Sequence, residues 1–156
     1  MNPIAFIVGV VGLIGYIVYS ILKQVRKRKV HEAVAQVAQS GTPLCQPCRV
    51  QIYRDSSANT DLMRKWPYTF SLNNGEKRIV NDGCMIEFTT NTKSNALVGY
   101  GRSDYGGISK HPSLDSPFVL EAAEGGLIRL IAKPTFDYSC GDGKWKSNLE
   151  YVSDEA

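Results

Sequence analysis

The sequence predicts a mainly β protein: an N-terminal transmembrane helix and a short helical stalk, followed by an antiparallel β-sandwich. Two observations predict it. Residues 4–22 carry no charge, and beyond residue 43 the hydrophobic period changes from 3.6 to 2. Of the 156 residues, the 134 that remain after position 22 make one domain, long enough to bury a core.

The uncharged run IAFIVGVVGLIGYIVYSIL reaches about 28 Å as a helix, which matches the hydrocarbon thickness of a bilayer. A cleaved signal peptide fits less well. Residues 1–3 have no basic side chain, the run is longer than such a peptide's apolar region, and no A-x-A-like site follows Leu22. The anchor is therefore assigned to residues 1–22. Lys23, Arg26, Lys27, Arg28 and Lys29 follow it at once, and no basic residue precedes it. That asymmetry implies an N-out, C-in arrangement with the domain in the cytoplasm, and it turns the same cluster toward anionic lipid. A domain exported to a periplasm or lumen is the alternative. Removing these five from the 18 Lys and Arg leaves 13 against 15 Asp and Glu, so the domain is not a basic nucleic-acid binder.

Gly9, Gly12 and Gly15 recur at every third position of the anchor. On a helix they form a stripe without side chains, against which another membrane protein or a second copy can pack closely. Tyr16 and Tyr19 are expected at the water interface. The stalk, residues 23–40, continues the helical period: Val30, Ala33, Val34 and Val37 share a face that can rest on the domain or on a partner helix. Ser40-Gly41-Thr42-Pro43 stops it, and the sandwich domain takes residues 41–156.

Strands follow. Trp66, Tyr68, Phe70 and Leu72 alternate with smaller residues, as do Cys84, Ile86 and Phe88, and then Phe136, Tyr138 and Cys140. Further strand-like runs are 49–55, 77–81, 95–100, 118–122, 127–132 and 144–151. Between them lie Asn73-Asn74-Gly75, Asn81-Asp82-Gly83, Gly106-Gly107, Gly125-Gly126 and Gly141-Asp142-Gly143, all turn formers. No amphipathic helix interrupts the series, which disfavours a βαβ fold. The polar stretch 101–116 reads as a loop.

The order RVQIYRDSS, YTFSLNNGEKRIVNDGCMIEFTT, NALVGY and FVLEAAEGGLIRLIA resembles the small transthyretin-like β-sandwich domains of bacterial envelope proteins of unassigned function. Tyr53-Arg54, Asn74-Gly75, Asp82-Gly83 and Gly125-Gly126 carry the likeness, which spans about residues 49–132. It implies a two-sheet fold and no particular chemistry. Such domains are commonly exported, whereas the charge rule points this one inward.

Cys45-Gln46-Pro47-Cys48 is the one compact chemical motif. As a redox pair it lacks a following helix to stabilise a thiolate, and as half of a zinc site it needs two more ligands from Cys84, Cys140, His31 and His111. Otherwise Cys45 and Cys48 cap the domain entrance as free thiols, or as a disulfide beside a Cys84–Cys140 bridge. His111 reads as a loop residue, Asp104, Asp115 and Glu124 as solubilising acids, and Tyr100 and Tyr105 as contact aromatics. Gly99-Tyr100-Gly101-Arg102 lacks the Lys-Ser/Thr of a phosphate loop. The expectation is a single-pass membrane protein acting as a non-catalytic interaction subunit, with the lipid bilayer and other membrane proteins as partners. Neither a cofactor, a small-molecule substrate nor a nucleic acid is expected. The alternative is a zinc-binding or redox-active Cys-x-x-Cys domain on a membrane anchor.

Overall fold

The computed structural model describes residues 3–55, 67–102, 108–112, 117–137 and 144–152, with side chains at 7–55, 67–100, 117–133 and 149–152. One helix, α1 (Pro3–Ser40), takes in the apolar segment and the stalk without interruption. Neither proline nor glycine occurs between Tyr16 and Ser40, so nothing in that stretch breaks the ladder of backbone hydrogen bonds. At the end the Ser40 hydroxyl turns back to donate to the Val37 carbonyl (3.0 Å). Gly41 then lies so close to the Ser94 backbone that a Cβ would stand 3.0 Å from its carbonyl oxygen. Only glycine makes that corner without displacing the neighbouring chain.

The strands are β1 (Pro43–Arg54), β2 (Tyr68–Leu72), β3 (Lys77–Val80), β4 (Met85–Thr92), β5 (Ser94–Arg102), β6 (Ile108–Pro112), β7 (Phe118–Glu121), β8 (Leu127–Asp137) and β9 (Lys144–Tyr151). They form two sheets, ordered β4-β1-β8-β9 and β3-β2-β5-β6, with β7 also paired to β5. Neighbours are antiparallel except β1 and β8, which run parallel with Ile52 opposite Leu130. The alternating apolar positions meet between the sheets. Val50, Ile52, Phe70, Leu72, Phe88, Leu97, Leu120, Leu130 and Leu149 belong to one buried cluster.

Several boundaries differ from the sequence reading. Strand β1 starts at Pro43 and not at Arg49, so the Cys-x-x-Cys lies within it, beside a register shift between Pro43 and Cys48. Cys84 is exposed and precedes β4, because its amide closes the turn onto the Asn81 carbonyl (3.0 Å); Ile86 and Phe88 do face inward. The stretch read as a loop contains the end of β5 and all of β6, and His111 is therefore a strand residue. Leu127 to Phe136 form one strand where two were expected. Trp66, Asp104, Tyr105, Asp115, Tyr138, Cys140, Gly106-Gly107 and Gly141-Asp142-Gly143 lie outside the described residues.

Two polar clusters hold the ends of the sandwich. Arg54, 1% exposed, lies with its guanidinium 4.6 Å from the centre of the Tyr68 ring and its Nε 3.9 Å from Asp82 Oδ1. Burial among apolar neighbours pushes the Tyr68 pKa up, against the pull of Arg54. At the other end Asn95 is fully buried. Its Oδ1 accepts from Asn73 Nδ2 (2.7 Å), Thr90 Oγ1 (2.5 Å) and Thr92 Oγ1 (3.1 Å), while its Nδ2 donates to the carbonyls of Thr92 and Lys93. Asn73 and Asn74 adopt positive φ of 51° and 58°, which asparagine tolerates better than most residues, and Asn73 Oδ1 accepts the Ala96 amide (2.9 Å). Asn95→Ala strands these buried partners. It is expected to cost about 3 kcal/mol and to lower the urea midpoint without changing the slope of the transition.

Candidate functional site

The strand β5 has partners on both faces. Leu97 points into the sandwich core, and Ala96, Val98 and Tyr100 form a second cluster with Val30 and Val34 of α1, joined by the half-buried Val37. The period of 2 on the strand meets the period of 3.6 on the helix, and both sets are small enough for the backbones to approach. Of the two options for the stalk seam, it rests on the domain. Polar contacts fix the register: His31 Nδ1 is 2.8 Å from Asn74 Oδ1, and Asn74 Nδ2 donates to the His31 carbonyl (3.1 Å). Tyr100, expected on the surface, is 3% exposed, with Lys77 Nζ 4.0 Å from its ring centre. Burial raises its pKa.

The direction of the helix follows from its ends. Gly41 lies against Ser94 at the start of β5, and α1 also touches β6, which pairs with the end of β5 at Tyr100 and Arg102. Helix and strand therefore run antiparallel, and the apolar part of α1 leaves toward the end of β5. Segment Ile7–Ser40 is long and apolar enough to cross a membrane. Its large side chains Ile14, Tyr16, Val18, Tyr19 and Leu22 are exposed, and Lys23 Nζ lies 5.8 Å from the Tyr19 ring centre.

Because the helix is continuous, residues far apart keep a fixed angular relation. At about 100° per residue, Lys23, Arg26, Lys27, Arg28 and Lys29 leave no gap wider than about 100°. They form a collar around the helix and not a one-sided patch. Val30 follows Gly12 by eighteen residues, about five whole turns, so the glycine stripe and the docking stripe share one face. A Cβ at Gly9, Gly12 or Gly15 would meet nothing within 4 Å, so the stripe is open.

The Cys-x-x-Cys is divided by its strand. Cys45 is exposed, and its amide donates to Glu124 Oε1 (3.3 Å), a contact that reading Glu124 as a solubilising acid missed. Cys48 is fully buried, its thiol directed to the Arg49 carbonyl (3.6 Å). Both are free thiols, as is Cys84. Among the described residues no three His, Cys, Asp or Glu side chains gather as a metal ion requires. The geometry therefore brings together the helix and sheet, not the cysteines.

Fold and site define a β-sandwich protein carrying an N-terminal helix that docks on one sheet and continues as a segment able to span a membrane. Comparison of the chain with protein-family models, curated proteins and solved structures finds no match.

Val34→Ala removes two methyl groups from the seam and leaves a cavity. The expected loss is about 2 kcal/mol, read as a lower thermal midpoint and faster proteolysis within residues 23–41. Stability also falls as pH rises above about 10. Unfolded tyrosines release their protons there, while buried Tyr68 and Tyr100 hold theirs, so the unfolded chain is favoured by alkali. Tyr100→Phe should flatten that alkaline slope, measured by denaturation at several pH values.

Proposed function

We propose that this chain is a single-pass membrane protein whose β-sandwich serves as a non-catalytic interaction module at the cytoplasmic face of a membrane assembly. The observation that carries the reading is the order along one unbroken helix: apolar segment, basic collar, then the stripe docked on β5. A collar suits lipid headgroups, which surround a helix, better than a partner that approaches from one side. The collar also supports the N-out, C-in orientation, since Lys and Arg flank the cytoplasmic end of a span. The likeness to transthyretin-like domains belongs to the same proposal, and the two-sheet sandwich is compatible with it.

The glycine stripe supplies the interaction within the bilayer. Its partner rises on the same side as the sandwich, so a helix packed there ends near the headgroups or crosses α1 at an angle. The partner is another membrane protein or a second copy of this chain.

Two experiments test the reading. Impermeant maleimide added to intact cells is expected to spare the exposed Cys45 and Cys84 until the membrane is opened. Labelling from outside reverses the orientation. Gly12→Leu places bulk where a helix must approach and is expected to reduce crosslinking of the anchor to its neighbours. Unchanged crosslinking of a normally inserted protein would leave the glycines as lipid-facing residues.

A further inference from the structure

The turn between β2 and β3 holds its two asparagines by different means. The Asn73 side chain belongs to the sandwich: its Nδ2 donates to Asn95 Oδ1 (2.7 Å) and its Oδ1 accepts the Ala96 amide (2.9 Å). The Asn74 side chain is tied to the stalk. Its Nδ2 donates to the His31 carbonyl (3.1 Å), which leaves Oδ1 to accept from His31 Nδ1 (2.8 Å). Both ends of this amide are thus bound to α1, at exposed contacts that water reaches.

Gly75 comes next, and the turn requires it, since a Cβ there would stand 3.0 Å from the Leu72 carbonyl oxygen. Asparagine cyclises most readily when glycine follows, because no side chain screens the glycine nitrogen. In that reaction Gly75 N attacks Asn74 Cγ, the Cγ–Nδ2 bond breaks, and ammonia leaves with the proton that Gly75 N gives up. Water then opens the cyclic imide at either carbonyl and leaves aspartate or isoaspartate at position 74. Two contacts oppose the first step. The Gly75 amide is engaged with the Leu72 carbonyl (2.8 Å), and Asn74 Cγ cannot turn onto that nitrogen while His31 holds both ends of its amide. The first restraint belongs to the turn itself, but the second is lost whenever the stalk lifts from β5.

We propose that Asn74 is a deamidation site gated by the stalk. Docked, α1 shields it; released, the Asn74-Gly75 pair converts, and the seam no longer closes in the same register. The carboxylate that replaces the amide still accepts from His31 Nδ1, yet it has no hydrogen for the His31 carbonyl and sets a charge against that oxygen. Isoaspartate also adds a methylene to the main chain, in a turn whose asparagines already adopt φ of 51° and 58°. The conversion is irreversible, so it separates chains whose stalk has stayed on the sandwich from chains whose stalk has been off it. The proposal concerns the seam alone and stands whether or not α1 spans a bilayer.

Mass mapping of the full chain, held in detergent micelles at neutral pH, tests it. Val34→Ala loosens the seam, and Val50→Ala removes the same two methyl groups from the sandwich core, where Val50 is fully buried. Reaction through a locally open state follows the population of that state, so deamidation at position 74 is expected to run roughly tenfold faster in Val34→Ala than in the unaltered chain. Val50→Ala is expected to leave it unchanged, and Val34→Asp to raise it further, toward the rate of the chain unfolded in urea. Equal rates in the unaltered chain and Val34→Ala, or equal acceleration by Val50→Ala, overturn the gating by the stalk. The converted chain, separated by ion exchange, is expected to be cut several-fold faster within residues 30–41 by a protease of broad specificity. Cleavage no faster than in the unconverted chain overturns the loss of the seam.

Discussion

The seating of Val30 and Val34 on Ala96, Val98 and Tyr100 is the contact on which the rest of this molecule depends. Each buried valine contributes about 1.5–3 kcal/mol, a substantial share of the about 5–15 kcal/mol by which a domain is stable. Without it the outer face of β5 would be apolar and wet, and α1 would be a tether of undefined direction. With it, the sandwich, the collar and the apolar segment become one body with a fixed axis. The His31–Asn74 contacts add little energy by comparison, but they choose the register in which the valines engage.

That coupling changes the meaning of features that look independent along the chain. The five basic residues are a cluster in sequence and a collar in space because the helix does not break between Leu22 and Val30. The glycines and the docking valines share a face for the same reason. A helix packed against the glycine face would therefore lie beneath the sandwich. Conversely, the Cys-x-x-Cys loses its apparent unity: inside β1 the chain exposes one thiol and buries the other, where a helix or a turn could have presented both to one ligand.

Much of the fold was legible in the residues. The uncharged run, the valine stripe and the alternation in Tyr68, Phe70 and Leu72 report helix and strand directly, because side-chain direction follows backbone period. The Asn73-Asn74-Gly75 turn was legible for a different reason, the tolerance of asparagine for positive φ. Tyr100 was misread because its strand has apolar partners on both faces, a pattern that alternation cannot report. Strand β6 was missed because Ile108 to Pro112 pairs at the sheet edge, where a polar sequence with one proline is tolerated and leaves little signal. Cys84 looked like core because it keeps step with Ile86 and Phe88, and only its hydrogen bond to Asn81 shows that the turn ends after it.

The sequence by itself determined the segments: an apolar helix, a basic flank, a helical stalk and a strand-rich domain, since composition and period act over a few neighbouring residues. The tertiary structure decided what those segments do to one another. The parallel match of β1 with β8, the pairing of β8 with β9, and the docking of the stalk on β5 all pair residues distant in the chain. Such pairings are chosen by complementary burial across the whole domain, and no local period encodes them.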